Sequence, residues 1–224
     1  MLSKAAATIC LLLTLDAAAL AQPAPPDNPP SATEASPAMD PPLPGDHWSY
    51  EVRDAITGAL KFANTFTITD VSPTEIAVRG EVLGHPNYGY FVYDHFWNIV
   101  KTPIWKFSPN DGSGIKPPLN PGSTWKFHND QINIQHGASF RRSGTSKVVG
   151  QESVTTSAGT FDTFKIETSV EIRNVNDPTK KESSIRTTWY APSINHWVKQ
   201  TEKGNVNGHV ALNTSIELVD YGRR

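Results

Sequence analysis

The chain has 224 residues and a formal charge of -2, because 20 lysines and arginines stand against 22 acidic residues. A charge so close to zero excludes recruitment of nucleic acid or acidic lipid through bulk electrostatics. The single cysteine, Cys10, lies in an apolar leader. We therefore expect neither a disulfide nor a thiol nucleophile in the mature protein.

Residues 1–21 have the pattern of a cleaved secretory signal peptide. Lys4 supplies the basic start, the apolar run Ala5–Leu15 follows, and Ala19-Leu20-Ala21 is an A-x-A cleavage site. The run is shorter than the roughly 20 apolar residues that a membrane-spanning helix needs, and no later segment approaches that length. We expect an exported bacterial protein, periplasmic or secreted, with no transmembrane span in the mature chain.

Residues 22–44 contain nine of the 18 prolines, mixed with small and polar residues, and no lysine or arginine. Such a composition cannot build a hydrophobic core, so it predicts a disordered, proline-rich tether. The segment is either a spacer from a membrane or wall or simply a tail. Residues 45–224 are then long enough for a single folded domain.

The predicted domain consists of short segments in which apolar and polar residues alternate. In the segment Leu60–Val71, for example, Phe66 and Ile68 share one face, while Thr65 and Thr67 share the other. Strict alternation is typical of strands that bury one face and expose the other. The segments are Trp48–Arg53, Leu60–Val71, Glu75–Val82, Phe161–Arg173, Ser184–Ala191 and Val210–Val219. Their spacing predicts an all-β antiparallel meander of about ten strands with little helix, forming a half-barrel or open barrel.

Two short stretches of the sequence echo each other. Pro44-Gly45 precedes Trp48 and Tyr50, and Pro121-Gly122 precedes Trp125 and Phe127. Each stretch predicts a turn followed by a strand anchored by an aromatic residue. The similarity indicates either an ancient duplication or simply a favourable way to begin a strand.

Aromatic residues are densest from Tyr88 to Trp97. In a strand they would occupy both faces, with Phe91, Tyr93 and Trp97 on one of them. This predicts that one face meets the core while the other meets a ligand, a loop or a partner. The alternative is a central strand that the protein itself covers on both sides.

The sequence lacks the spacing of a known catalytic or metal site. None of its seven histidines forms H-x-H or H-E-x-x-H, and no G-x-S-x-G elbow or phosphate loop occurs. We therefore expect no catalytic residues, no metal and no cofactor. A less favoured alternative is a hydrolase whose residues come from separate strands, such as Asp94, His95 and His196.

Two motifs in the C-terminal half carry a resemblance to a known group of proteins. They are Ala158-Gly159-Thr160-Phe161-Asp162 and Trp189-Tyr190-Ala191-Pro192. With these motifs the chain resembles uncharacterised bacterial exported proteins that contain a domain of unknown function. The resemblance implies a β half-barrel similar to the periplasmic lipoprotein carriers. It also implies that the motifs are scaffold rather than active site, and it lends weight to a carrier role.

These observations favour a non-enzymatic exported binding or carrier protein that accommodates an apolar or amphipathic ligand, or a protein segment, in a concave sheet. The ligand would be a lipid or lipoprotein. The alternative is an envelope interaction or scaffold module with a filled core and an envelope protein as partner. Burial of apolar surface would supply the binding energy of the carrier. The candidate lining residues are Phe91, Tyr93, Trp97, Trp105, Trp125, Trp189 and Trp197.

Overall fold

A computed structural model describes residues 41–177 and 179–223. The predicted signal peptide and residues 22–40 of the predicted tether lie outside the described residues. The strands are β1 His47–Asp54, β2 Leu60–Val71, β3 Ile76–Val82, β4 His85–Tyr93, β5 Ile99–Lys101, β6 Trp105–Ser108, β7 Thr124–Asn133, β8 Ser139–Thr156, β9 Gly159–Asn174, β10 Lys181–Ala191, β11 His196–Val206 and β12 His209–Gly222. One turn of 3₁₀ helix, Pro192–Ile194, separates β10 from β11.

Each strand pairs with its sequence neighbours in antiparallel fashion, and β1 also pairs with β12, so the sheet closes into a barrel. The prediction of an all-β antiparallel meander with little helix is confirmed. The structure has twelve strands rather than about ten, because β5 and β6 have only three and four residues and are too short to show alternation. Closure adds the β1–β12 ladder, which leaves no open edge at the ends of the meander.

Alternation along the strands decides which side chains fill the barrel. On β1 the side chains of Trp48, Tyr50 and Val52 are buried, whereas those of Glu51 and Arg53 are partly exposed. Burial of each large apolar side chain contributes about 1.5–3 kcal/mol. The interior therefore forms one continuous core that extends from β1 around to β12.

The two echoing stretches adopt the same local structure. Gly45 and Gly122 have φ values of +95° and +93°, a region that glycine enters without steric cost. Gly45 N donates to Ile68 O and Gly122 N donates to Val148 O, each at 2.8 Å. In both turns the next residue also exchanges a backbone hydrogen bond with the same neighbouring strand. The two stretches are therefore the same type of turn. One hydrogen-bonds the start of β1 to β2, and the other hydrogen-bonds the start of β7 to β8.

The β6–β7 ladder is incomplete. It joins Trp105–Ser108 to Asp130–Asn133, and the chain then leaves the sheet at Pro109, which has no N–H to continue a ladder. Residues 124–129 of β7 pair with β8 but have no strand partner on the β6 side. The loop 109–123 lies beside this gap in the wall, and Asn129 Nδ2 donates to Asp111 O there at 2.9 Å.

Candidate functional site

One end of the interior, here called the aromatic end, is filled by interlocking rings. The Trp48 ring stacks on His196 with centroids 4.2 Å apart, and Trp97 meets Trp48 edge-on at 5.6 Å. The Trp197 ring stacks on Tyr50 at 6.2 Å. Edge-on and stacked contacts of this kind add about 0.5–1.5 kcal/mol per pair beyond the area that they bury. The aromatic end comprises Trp48, Tyr50, Trp97, His196 and Trp197.

His196 is held in the aromatic end as a neutral hydrogen-bond donor. The Tyr50 hydroxyl has one proton, which it donates to Trp197 O at 2.9 Å. The 2.5 Å contact between Tyr50 Oη and His196 Nδ1 therefore has the histidine as donor. Burial lowers the pKa of His196 well below its usual value and raises the pKa of Tyr50. Both groups are thus uncharged at neutral pH.

The W-Y-A-P motif also belongs to this end of the barrel. Tyr190 Oη and Trp97 Nε1 both donate to Asn195 Oδ1, at 2.8 and 3.0 Å. Asn195 adopts a left-handed conformation with φ of +47°, which directs the chain from the 3₁₀ turn into β11. The motif therefore fixes a turn against the core, and its side chains point to a structural role.

The middle of the interior contains a group of charged and amide side chains, here called the polar layer. Arg142 Nη1 donates to Asp111 O at 2.6 Å, and Arg142 Nη2 lies 3.7 Å from Asp111 Oδ2. Arg186 Nη2 donates to Ser113 Oγ at 2.9 Å. Burial lowers the pKa of Arg142, and the charge of Asp111 opposes that shift. The polar layer comprises Asp111, Asn129, Arg142, Arg186 and Glu202.

The cavity between the aromatic end and the polar layer is small. Its volume is about 160 Å³, and its walls include Trp97, Thr168, Arg186 and Gln200. Pockets that enclose a drug-sized ligand have volumes of about 300–1,000 Å³. The interior of this barrel is therefore largely filled by its own side chains.

A larger concavity, here called the β7 groove, lies at the gap in the wall. Its volume is about 600 Å³. Its apolar surface comes from Phe96, Pro109, Ile115, Pro117, Trp125 and Phe127, and its cationic and imidazole groups from Lys116, Lys126 and His128. The carboxylate of Asp94 also lines the groove but is occupied by the backbone N–H groups of Phe96 and Asn98 and by the amide of Asn110. The groove thus combines an apolar floor with a positively charged rim.

The largest of these concavities, of about 1050 Å³, is a saddle that extends from β7 to β12 and shares Lys126, Phe127 and His128 with the β7 groove. Seven of its 18 lining residues carry hydroxyl groups, among them Thr145, Ser169, Thr187 and Thr201. Binding sites for small molecules are lined mainly by apolar side chains with a few polar groups. The lining of the saddle is more polar than that of the β7 groove, so the β7 groove is the better candidate.

The structure separates the seven predicted lining residues into different environments. Five of them belong to the buried core, namely Phe91, Tyr93, Trp97, Trp125 and Trp189. Tyr93, Trp97 and Trp197 line the small interior cavity. Trp125 lines the β7 groove. The remaining two, Trp105 and Trp189, line neither the interior cavity nor the β7 groove in the part of the chain that is described.

These two tryptophans have partners of their own. The Trp105 ring packs against Phe140 at 5.6 Å. The ring of Trp189 lies 5.1 Å from Lys165 Nζ and 5.8 Å from Lys199 Nζ, and its Nε1 donates to Glu152. Lysine side chains therefore cover Trp189, as expected of a residue that shares its face of the sheet with Lys165 and Lys199.

Sequence reasoning missed the polar layer and the rim of the β7 groove. Arg186 lies two residues before Thr188, and Asn129 lies two residues after Phe127, so alternation alone would have assigned both residues to the interior. The contribution of the loop 109–117 had no such signal, because loops have no periodicity.

The residues of the hydrolase alternative have separate partners. His95 Nε2 lies 2.8 Å from Ser72 O, His196 bonds to Tyr50, and Asp94 caps its own turn. Within residues 41–177 and 179–223, no three histidine, cysteine or acidic side chains are grouped closely enough to hold a metal ion. Nor does any helix of the described residues have the length and apolar character to cross a membrane.

Comparison with known proteins supports the resemblance drawn from the motifs. A family model described as DUF3108-like matches residues 124–215, which include both motifs. No curated protein matches the sequence.

Two solved structures share the fold. The first is described as an exported protein with a YmcC-like fold from Bacteroides fragilis, with 15% identity, a TM-score of 0.54, and coverage of 83% of this chain and 99% of that one. The second is described as a lipoprotein from Parabacteroides distasonis, with 14% identity, a TM-score of 0.53, and coverage of 84% and 100%. At such identity the likeness establishes the fold alone.

Proposed function

We propose that this chain is an exported, non-catalytic binding protein that holds an amphipathic, negatively charged ligand in the β7 groove. One observation carries the proposal: the interior offers about 160 Å³, whereas the groove offers about 600 Å³ with an apolar floor and a cationic rim. An apolar floor supplies binding energy through burial, and the rim orients the charged end of the ligand.

Export is supported by the leader pattern of residues 1–21 and by the two structural neighbours, which are described as an exported protein and a lipoprotein. The proline-rich segment after the leader would serve as a tether between the cleavage site and the barrel. Residues 41–44 lie against the barrel: Pro42 is buried, and Arg223 Nη2 donates to Pro41 O at 2.7 Å. The folded part of the protein would therefore begin a few residues before β1.

The second candidate function is an envelope interaction module that binds no small ligand. The filled aromatic end favours it, because a packed core is what a scaffold requires and a carrier does not. The two candidates differ in whether the β7 groove binds an amphiphile with no partner protein present.

Phe96 allows the groove to be tested without disturbing the core. Its side chain lines the groove and is 47% exposed, whereas its backbone N and O hold the turn. In Phe96→Ala we expect the free energy of unfolding to change by less than about 0.5 kcal/mol. The affinity for dodecyl phosphate, measured by calorimetry below its micelle concentration, should fall about tenfold.

Tyr90→Ala is the matched control, since Tyr90 is an aromatic residue that is 64% exposed and does not line the groove. Dodecyltrimethylammonium, which has the same chain with the opposite charge, should bind far more weakly than dodecyl phosphate. Equal losses in Phe96→Ala and Tyr90→Ala, or no binding of dodecyl phosphate at all, would overturn the proposal and leave the scaffold as the better function.

A further inference from the structure

The β7 groove is bounded on one side by the edge of a strand rather than by its face. Four consecutive residues, Trp125 to His128, line it. A strand that is approached on its face contributes only alternate residues, because successive side chains point to opposite sides. The groove therefore contacts residues from both faces of β7, and it does so along the stretch that has no strand partner on the β6 side.

The direction of the free backbone groups follows from hydrogen bonds at the two ends of β7. Val148 N donates to Ser123 O and Asn133 N donates to Ala138 O, so odd-numbered residues bond on the β8 side. Ile134 N donates to Ile104 O on the other side. Since the ladder has no register shift between these points, the N–H and C=O groups of even-numbered residues point toward β6.

The gap therefore receives the backbone groups of Thr124, Lys126 and His128. These residues precede Asp130, the first residue of β7 that pairs with β6. In the described part of the chain, no hydrogen bond reaches these gap-side groups. All three residues are exposed. The wall of this closed barrel therefore contains a short free edge with two or three donor and acceptor pairs, here called the β7 edge (residues 124–128).

We propose, on the basis of the binding role assigned to the groove, that its occupant is an extended acidic segment of a partner protein, which adds a strand to the β7 edge. Main-chain hydrogen bonds would hold such a segment, and alternate side chains would give specificity. Apolar side chains of the segment would contact Phe96 and Ile115, while acidic ones would face Lys116 and Lys126.

Charge decides against a second copy of this chain as the occupant. Two β7 edges placed side by side would bring Lys126 of one copy close to Lys126 and Lys116 of the other. Like charges directly opposite each other destabilise strand pairing. An acidic segment has the complementary charge, and its main chain uses the free N–H and C=O groups that an alkyl chain would leave unpaired.

The test measures binding of the full chain to the blocked peptide acetyl-Glu-Val-Glu-Val-Glu-Val-amide. We expect the amide signals of residues 124–128 to shift in nuclear magnetic resonance titrations, and we expect the lysine analogue, with Lys at every Glu position, to bind at least about tenfold more weakly. A peptide of the same sequence that is methylated on every backbone nitrogen should not bind, because it cannot donate to the edge.

Variants of the protein separate backbone pairing from charge. Lys126→Pro removes an N–H that points into the gap and leaves the odd-numbered donors to β8 in place, so peptide binding should fall more than about tenfold. The double variant Lys116→Gln with Lys126→Gln keeps the backbone, and its affinity should fall about tenfold. Lys181 is an exposed lysine at the start of β10, and the variant Lys181→Gln should stay within about twofold of the parent.

Dodecyl phosphate distinguishes the two proposals, since it needs the groove but not the backbone edge. Binding of the amphiphile without binding of the acidic peptide, or equal binding of the methylated peptide, would overturn strand addition and leave the proposed function in place. Failure of both ligands would overturn both. If the free protein forms a dimer, and if Lys126→Pro abolishes that dimer, a second copy is the occupant of the groove. This outcome would overturn the proposal of an acidic segment.

Discussion

The aromatic end and the polar layer fill the same barrel by different physical means. In the aromatic end, rings exclude water through close packing, and the polar atoms of Tyr50 and His196 satisfy each other. In the polar layer, a buried arginine is held by the backbone oxygen and the carboxylate of Asp111. In a packed region the loss of stability grows with the volume of side chain removed, whereas a buried charge becomes strongly destabilising as soon as its partner is removed. The comparison teaches that the aromatic end and the polar layer both stabilise the barrel, and that both do so by filling space that a ligand would need.

The largest effect is expected in the aromatic end. Trp48 is 1% exposed and contacts both Trp97 and His196. Trp48→Ala should lower the free energy of unfolding by about 4 kcal/mol, because it removes a buried ring and leaves a cavity.

Trp48→Phe is the control for Trp48→Ala, because it replaces the indole with a smaller ring instead of removing the ring. The indole N–H of Trp48 is buried with no hydrogen-bond partner among the described residues, so the phenylalanine variant loses packing volume but no hydrogen bond. We expect a loss of less than about 2 kcal/mol in urea unfolding. Equal losses in the two variants would mean that the indole N–H is satisfied and that packing is not the main contribution.

A slightly smaller effect is expected in the polar layer. Asp111 is 3% exposed, and its carboxylate accepts from Ile99 N at 2.7 Å as well as facing Arg142. Asp111→Ala should lower the free energy of unfolding by about 3 kcal/mol, since buried Arg142 loses the larger of the two negative charges that act on it.

The double variant Asp111→Ala with Arg142→Leu checks this explanation. If the uncompensated charge causes the loss, removing Arg142 as well should restore part of the stability, and the two changes should not be additive. Additive losses in denaturant unfolding would show that the ion pair contributes nothing and that the loop 109–117 is held by its backbone contacts.

The smallest effect is a pH dependence that distinguishes the two regions. Burial lowers the pKa of His196 in the folded state, so the unfolded chain binds a proton there first. Stability from this residue should be constant above about pH 6.5 and fall as the pH drops below it, by up to about 1.4 kcal/mol per pH unit, until the lowered folded pKa is reached.

Thermal unfolding of the parent and of His196→Phe between pH 7 and pH 5 measures this contribution. The variant retains a ring between Trp48 and Trp197, and Tyr50 keeps its hydrogen bond to Trp197 O. The slope over that range should be smaller in the variant than in the parent by the contribution of one histidine. Identical slopes would show that His196 has the same pKa in the folded and unfolded states, in conflict with its burial in the aromatic end.

The sequence contained more information about the wall of the barrel than about its site. Leu60–Val71 was predicted with the bounds that β2 has, because its alternation is regular and Ser72-Pro73 interrupts it. The next predicted strand, Glu75 to Val82, begins one residue before β3. The aromatic stretch was less informative. Trp97 was predicted to share a strand face with Phe91 and Tyr93, but β4 ends at Tyr93, and Trp97 lies in a turn with φ of +60°. Its ring nevertheless reaches the core, because the turn directs it back over Tyr93.

The sequence by itself determined the class of fold, the alternation of buried and exposed side chains, and the two glycine turns, since each depends on residues that are close along the chain. Only the tertiary structure decided that the sheet closes, that the rings of the aromatic end fill the interior, and that the β6 ladder ends before β7 does. These features depend on contacts between residues far apart in sequence, such as Tyr50 with His196 and Asp111 with Arg142. The β7 groove exists because one strand is shorter than its neighbour, a difference that no periodic pattern records.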